Sequence, residues 1–178
     1  HRELLDWLAA DFMETNWDVK RLIRTIVTSE TYRRSSKILS RAQYDLDPEN
    51  RLLARGPRFR MPSWMIRDQA LATSGILNDM QGGASINSYQ PEGVWEETSF
   101  GRKRYTQAEG RALHRRSLYT FWRRIVGPTM FFDSAKRQVC EVNPLRTNTP
   151  MHALITMNDI TYVEAARSLA EKIINEED

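Results

Sequence analysis

The sequence predicts a mainly α-helical protein: a helical bundle-like single domain with long irregular loop segments and at most a short β-hairpin. Apolar residues recur at helical spacing along several stretches of the chain. The junctions Trp17-Asp18 and Thr149-Pro150 carry the cap and proline signals that begin helices. Residues 84–101 lose this periodicity. We therefore expect five to seven helices together with an irregular, aromatic-rich segment.

Residues 1–27 predict two short helices joined by a tight connection. The first helix has an apolar stripe formed by Leu4, Leu5, Leu8 and Phe12. Thr15-Asn16 ends it, and Asp18 can cap the next helix by accepting a hydrogen bond from a free N–H of its first turn. The second helix repeats apolar residues from Val19 to Val27 at the spacing of a helix face.

The next stretch predicts a loop and then a short helix. Residues 28–43 are polar and basic, and they indicate a helix end followed by a loop. Asp47-Pro48 has the cap-plus-proline signature of a helix start. We expect this short helix to carry Leu52 and Leu53.

A third long helix is predicted to begin at Ser63 and to keep one apolar face as far as Met80, where Gly82-Gly83 ends it. Residues 84–101 then form an irregular segment whose aromatic side chains favour an ordered loop.

Residues 105–126 predict a helix that buries an aromatic face, and a further irregular stretch follows. The residues of that face are Leu118, Phe121, Trp122 and Ile125. Residues 129–145 lack a clear pattern. The run Met130-Phe131-Phe132 suits either a short strand or a buried turn.

Two helices are predicted to close the chain. Thr149-Pro150 begins a short one, and Asn158-Asp159 offers a second cap. The last helix runs from Ile160, and its apolar positions at helical spacing are Val163, Ala166, Ala170, Ile173 and Ile174.

Composition indicates a folded domain. Of 178 residues, 40% are hydrophobic and 28% are charged, which argues against disorder, and no apolar run is long enough to span a membrane. We expect residues 1–178 to be one helical domain, and the lack of an initiator Met indicates that His1 begins a fragment or a processed chain. A single cysteine, Cys140, excludes an internal disulfide framework.

Metal or thiol chemistry is not predicted. The histidines His1, His114 and His152 lie far apart in sequence, and no cysteine cluster accompanies them. We expect His152 to make a structural hydrogen bond. Cys140 and His152 could form a nucleophile and base, but a packed thiol is favoured.

The acidic loop allows two interpretations. Carboxylates at Glu92, Glu96 and Glu97, with Asp133 elsewhere, could supply the acid and base of a glycoside hydrolase. Acidic groups beside tryptophan and tyrosine are also typical of a loop that binds sugars. Non-catalytic binding is the favoured interpretation, and the hydrolase remains an alternative.

A basic run between residues 102 and 124 supports a second alternative, a polyanion-binding surface. A solvated helix face explains the same charges, and no known nucleic-acid-binding signature is present, so nucleic acid is not an expected partner. Arg146 and Asn148 lie near a helix start, where we expect structural roles: capping, and bonding irregular segments onto the helices. The candidate ligand-binding residues are Tyr89, Gln90, Glu92, Trp95, Arg115, Arg116, Tyr119, Arg146 and Asn148.

Several motifs, in one order along almost the whole chain, resemble a known family. They are HRELLDWLAADF, DVKRLIRTIVTSETYRRSS, DPENRLLARGPRFR, IRDQALATSG, YQPEGVWEE, RRSLYTFWRR and RTNTPMHALITMND followed by YVEAARSLAE. Together they resemble the C-terminal domain of unknown function in large secreted proteins of planctomycetes and related bacteria, which commonly carry a cytochrome-c-like domain near the N-terminus.

The resemblance implies that this chain is a fragment of a larger multidomain chain with an extracytoplasmic location. It also implies an upstream haem domain as a partner in the same polypeptide, and a role in handling polysaccharides. No C-x-x-C-H haem-attachment motif occurs here, so we expect no cofactor in this part of the protein. Two positions depart from the family pattern. Trp64 stands where the family often has Glu, and His152 stands where it often has Gln.

Overall fold

A computed structural model describes residues 1–38, 40–123, 126–134, 140, 142 and 145–176. Over these residues the protein is mainly α-helical, as predicted, and extended backbone pairs only as two isolated parallel bridges. The chain divides into two compact units, unit 1 (His1–Phe59) and unit 2 (Arg60–Asp178). That residues 1–178 act as one domain stays a prediction.

Unit 1 contains α1 (Arg2–Glu14), α2 (Val19–Thr28), α3 (Glu30–Arg33) and α4 (Arg41–Leu46). The two predicted N-terminal helices are confirmed. The Asp18 side chain accepts a hydrogen bond from the Arg21 N–H at 3.0 Å and caps α2. Asn16 and Trp17 adopt left-handed backbone conformations, which turn the chain sharply between α1 and α2.

The order of helix and loop after α2 differs from the prediction. Ser29 and Ser40 cap α3 and α4 within the stretch predicted as loop. The predicted helix after Asp47 is wrong. Its carboxylate accepts hydrogen bonds from the Arg51 and Leu52 N–H groups, each at 2.8 Å, and this closes a turn in place of a helix.

The apolar faces of unit 1 remain open. Neither α1 nor α2 contains a buried residue. Trp7 is 55% exposed and Ile23 is 54% exposed. The apolar periodicity therefore predicted these helices correctly without predicting which surface covers them.

Unit 2 contains α5 (Ser63–Thr73), α6 (Val94–Thr98), α7 (Pro150–Asn158) and α8 (Ile160–Glu176), with 3-10 turns at Gly110–His114 and Ser117–Tyr119. α5 packs against α8. The core of unit 2 contains Met130, Phe131 and Tyr162, and Leu71 of α5 is fully buried.

Two predicted helices of unit 2 are shorter or absent. α5 ends before Met80 because Gly75 adopts a left-handed conformation, and the Ile76 and Leu77 N–H groups both donate to the Leu71 carbonyl. The helix predicted over residues 105–126 is replaced by the two 3-10 turns, and Leu118 is 84% exposed. Ile125, also assigned to that helix, lies outside the described residues.

The irregular segments of unit 2 contain turns and one short helix. Residues 84–101 include the short helix α6, which begins after Gly93. Met130 and its neighbours form a buried turn, one of the two predicted alternatives. Part of the predicted irregular stretch 129–145 lies outside the described residues.

The last two helices begin as predicted, but α8 buries a different face. Pro150 begins α7 directly after Thr149, and Asp159 accepts a hydrogen bond from the Thr161 N–H at 3.0 Å at the start of α8. The buried residues of α8 are Thr161, Tyr162 and Ala165. The residues predicted to be core are exposed: Val163, Ala166, Ala170, Ile173 and Ile174.

Candidate ligand-binding cleft

A buried arginine of α5 holds the segment that will form one side of the cleft. Arg67 is fully buried, and its guanidinium donates hydrogen bonds to the Leu113 and Arg115 carbonyls, both at 2.8 Å. Burial lowers the pKa of Arg67, and the neighbouring Asp68 carboxylate opposes this effect. The two carbonyls belong to residues far away in sequence, so Arg67 fastens an irregular segment to a regular helix.

Arg115 extends this bracing to the next segment. Its side chain is buried and donates hydrogen bonds to the carbonyls of Ala84 at 2.8 Å and Met80 at 3.2 Å, and to that of Gly82. The guanidinium also lies 3.8 Å from the centroid of the Tyr119 ring. The Arg115 side chain therefore supplies the hydrogen-bond donors that these three backbone carbonyls need.

Three aromatic side chains line an open cleft of about 460 Å³ in unit 2. Trp64 projects from the first turn of α5 and is 49% exposed. Trp122 and Phe131 form another part of the lining, with ring centroids 5.6 Å apart. The cleft thus combines an exposed indole with two packed rings.

Polar side chains line the same cleft. Asp68, Arg116, Ser117, Thr120 and Ser134 all line the cleft, and Leu118 completes it. The Asp68 Oδ1 atom accepts hydrogen bonds from the Ser117 N–H at 2.8 Å and the Ser117 hydroxyl at 2.6 Å. Asp68 therefore fixes the backbone from which Arg116 and Leu118 project.

Gly127 allows Trp122 to occupy its place in the cleft wall. A Cβ atom at this position would lie 2.7 Å from the Trp122 Nε1 atom and 2.9 Å from its Cε2 atom. Because such contacts are too short to tolerate, only glycine permits this close approach without moving the indole.

Arg116 lies in the cleft, but other predicted ligand-binding residues support the fold. Trp95 is buried and packs with Tyr105 and Phe121, at centroid distances of 5.0 and 5.7 Å. The Trp95 indole N–H donates to the Gln90 side-chain oxygen at 2.7 Å. This placement removes the Trp95 ring and the Gln90 oxygen from the groups that offer free contacts to a ligand.

Tyr89 takes part in a different polar cluster. Its hydroxyl donates to the Glu164 carboxylate at 2.8 Å, and His114 Nε2 lies 3.1 Å from the other oxygen of that carboxylate. Burial, then the hydrogen bond to Glu164, raises the pKa of the Tyr89 hydroxyl well above its ordinary value. The cluster ties α8 to the residue 84–101 segment and to the first 3-10 turn.

The remaining candidates lie apart from the cleft lining. Glu92 is exposed. The Tyr119 hydroxyl accepts a hydrogen bond from the Gly82 N–H at 2.7 Å. Arg146 donates to the Arg60 carbonyl at 2.6 Å, and Asn148 accepts from the Arg60 guanidinium. Arg146 and Asn148 thus join the segment before α7 to the segment before α5, a structural role that the sequence predicted.

The buried His152 lies close to Asp133, which is partly exposed. His152 Nε2 lies 3.6 Å from Asp133 Oδ1, and the imidazole stacks on Phe132 with centroids 4.3 Å apart. Asp133 also accepts hydrogen bonds from the Thr147 N–H at 2.6 Å and the Thr147 hydroxyl at 2.8 Å. The Asp133 carboxylate is therefore occupied by structural donors.

The carboxylates considered for hydrolysis are not assembled in the cleft. Its described lining contains none of Glu92, Glu96, Glu97 and Asp133. Glu96 Oε1 accepts from the Tyr105 N–H at 3.4 Å, and Glu97 is exposed. Asp68, which does line the cleft, is engaged by Ser117.

Cys140 is exposed, so the prediction of a packed thiol is wrong. Within the described part of the chain, His, Cys, Asp and Glu form no group of three suited to a metal ion. Over the same residues, no helix has the length and apolar character needed to cross a bilayer.

Comparison with known families gives one match. The chain matches the family described as PSD1, protein of unknown function (DUF1553), over residues 1–178. The chain belongs to this family. Neither the curated proteins nor the solved structures give a match. Membership agrees with the resemblance to a domain of unknown function. The family description names no activity that could be assigned to the cleft.

Sequence reasoning did not associate Trp64, Asp68 and Ser117 with a binding site. Trp64 and Asp68 lie four residues apart at the start of α5, so helical geometry places them on the same side. That spacing was a usable signal. The position of Ser117 beside them depends on the Arg67 contacts, which no local pattern reveals.

Proposed function

We propose that this chain is a non-catalytic binding module that holds a segment of polysaccharide in the cleft of unit 2. The observation that carries the proposal is the lining of one open cleft by Trp64, Trp122 and Phe131 together with hydroxyl and charged side chains. The volume of about 460 Å³ lies within the roughly 300–1,000 Å³ common for ligand sites.

The chemistry of a sugar ring suits this lining. The two faces of a pyranose carry C–H groups, which pack on flat aromatic surfaces through dispersion and apolar burial. The ring edges carry hydroxyls that need hydrogen-bond partners. Trp64 supplies an exposed flat surface, while Arg116 and Ser134 supply polar groups in the same cleft.

Binding is favoured over hydrolysis by the state of the carboxylates. A glycosidase needs two carboxyl groups on either side of the scissile bond. Asp68 is the acidic residue of the described cleft lining, and two donors of Ser117 occupy its Oδ1 atom. Over the described residues, the cleft lining therefore presents one engaged carboxylate where the reaction requires a pair.

The order of the family motifs supports a wider setting for this module. We place it at the C-terminal end of an extracytoplasmic, cytochrome-c-associated protein that acts on or near polysaccharides. The haem would belong to an upstream domain, and this chain would contribute no cofactor of its own.

A glycan array followed by calorimetry on the purified chain tests the binding proposal. The array should include neutral, uronate-containing and sulfated oligosaccharides. We expect at least one class to bind, and Trp64→Ala to weaken that binding by about tenfold or more because the exposed stacking surface is lost.

Trp7→Ala is the matched control, since Trp7 is a tryptophan of similar exposure in unit 1. It should leave glycan affinity unchanged. The proposal fails if no oligosaccharide binds, or if Trp64→Ala and Trp7→Ala have the same effect.

A further inference from the structure

Among the described residues that line the cleft, the charged ones are Asp68 and Arg116. Asp68 Oδ1 accepts from both donors of Ser117 and lies 3.5 Å from the buried Arg67 guanidinium. Arg67 carries a positive charge of its own and is fully buried, so solvent screens the interaction only weakly. The negative charge of Asp68 is therefore already balanced inside the protein.

Arg116 differs from Asp68 in its contacts with the rest of the protein. Its side chain is exposed, and within the described part of the chain its guanidinium has no hydrogen bond or ion pair to the protein. All five N–H donors are therefore available to a ligand.

The backbone around Arg116 is held firmly. Arg115 and Ser117 on either side are both buried, and the Arg116 carbonyl accepts from the Tyr119 N–H at 2.9 Å. Because both neighbours are anchored, Arg116 is presented from a fixed position in the cleft lining.

From this charge arrangement we infer that the ligand is an acidic polysaccharide, whose carboxylate or sulfate pairs with Arg116 while a sugar ring packs on Trp64. The inference rests on the proposed binding function and specifies its ligand class. A planar guanidinium suits such a group because it can donate two parallel hydrogen bonds to two oxygens.

The test compares ligands that differ only in charge. One probe is a galacturonate oligosaccharide of fixed length, and the second is the same oligosaccharide with every carboxylate methyl-esterified. We expect the acidic form to bind about tenfold more tightly in low salt. A sulfated galactan oligosaccharide distinguishes sulfate from carboxylate as the preferred anion.

Arg116→Gln should remove the preference for the acidic or sulfated probe while leaving the affinity for the ester unchanged. Arg116→Lys should restore part of that preference. Arg111→Gln is the matched control, because Arg111 is an exposed arginine of the preceding 3-10 turn that does not line the cleft.

The outcomes separate the two proposals. Equal binding of acid, sulfated and ester probes that still depends on Trp64 would overturn the charge inference and leave the binding function intact. An unchanged preference in Arg116→Gln would also overturn the inference. Absence of binding by every probe would overturn both.

Discussion

In unit 1, α1 and α2 contain no buried residue, whereas unit 2 buries an arginine, a leucine and a methionine completely. The helices of unit 1 begin and end at clear local signals, such as the Asp18 cap. Much of unit 2 has no regular structure, but side chains distant in sequence fasten it. Regular secondary structure and a fully buried core are thus separate properties. In this chain α1 and α2 are regular without a buried residue, and unit 2 has fully buried side chains although much of it is irregular.

The contrast identifies what stabilises each unit. Apolar burial contributes about 25 cal/mol per Å² removed from water, so half-exposed side chains gain only part of it. Trp7 and Ile23 are in this position. In unit 2, Arg67 adds charge-assisted hydrogen bonds in a place without water, and such bonds cost most when one partner is removed.

Arg67→Met should give the largest effect, because it leaves the Leu113 and Arg115 carbonyls buried without their donor. We expect a loss of about 3–5 kcal/mol in the free energy of unfolding of unit 2. Denaturant unfolding measures this loss, and hydrogen exchange at residues 113–120 should become faster.

Arg111→Met is the control for that experiment, since Arg111 is exposed, and its effect should stay within about 0.5 kcal/mol. A cost below about 1 kcal/mol for Arg67→Met would mean that the irregular segment is held by other contacts. The proposed difference between the two units would then lose its main support.

A pair of truncations sharpens the comparison with a smaller expected effect. Leu71→Ala removes a fully buried side chain from unit 2 and should cost about 2–5 kcal/mol. Ile23→Ala removes a side chain that is 54% exposed, and alanine also favours the helix, so it should cost less than about 1 kcal/mol. Equal costs in denaturant unfolding would show that the Ile23 face is covered in solution.

Local signals predicted the parts of the fold that depend on them. Asp18 and Pro150 mark helix starts that the structure has, because a cap or a proline acts within one turn. The same reasoning placed a helix after Asp47, where the carboxylate instead closes a turn by accepting from two backbone N–H groups. A residue type that serves both structures cannot distinguish them from its sequence position.

The cleft was less predictable because its residues meet across long separations. Arg116 lines the cleft, and its ligand-binding role stays a prediction. Trp95 looked like an exposed loop aromatic, but Tyr105 and Phe121 cover it. No periodicity in residues 84–101 reports on partners that lie 10 and 26 residues further along the chain.

Acid unfolding offers the smallest expected effect. Each unit contains a carboxylate that accepts hydrogen bonds from the backbone, Asp47 in unit 1 and Asp133 in unit 2. Burial alone would raise the pKa of Asp133, but hydrogen bonds from Thr147 and the nearby His152 and Arg60 outweigh it and lower that pKa. In unit 1, the Leu52 N–H is the main cause of the lowered pKa of Asp47. Both carboxylates therefore favour the folded state when ionised.

The pH dependence follows from the direction of these shifts. The unfolded carboxyl titrates near its ordinary pKa of 3.8, and the folded one titrates lower. The stabilisation is thus fully present above about pH 5 and is lost as the pH falls through 3.8 toward the folded pKa.

Asp133→Asn should cost about 1–2 kcal/mol at pH 7 and flatten the acid limb for unit 2, while Asp47→Asn should flatten it for unit 1. Hydrogen exchange measured from pH 7 to pH 3 separates the units. A limb unchanged by Asp133→Asn would show that the contact with Thr147 persists without the charge of that carboxylate.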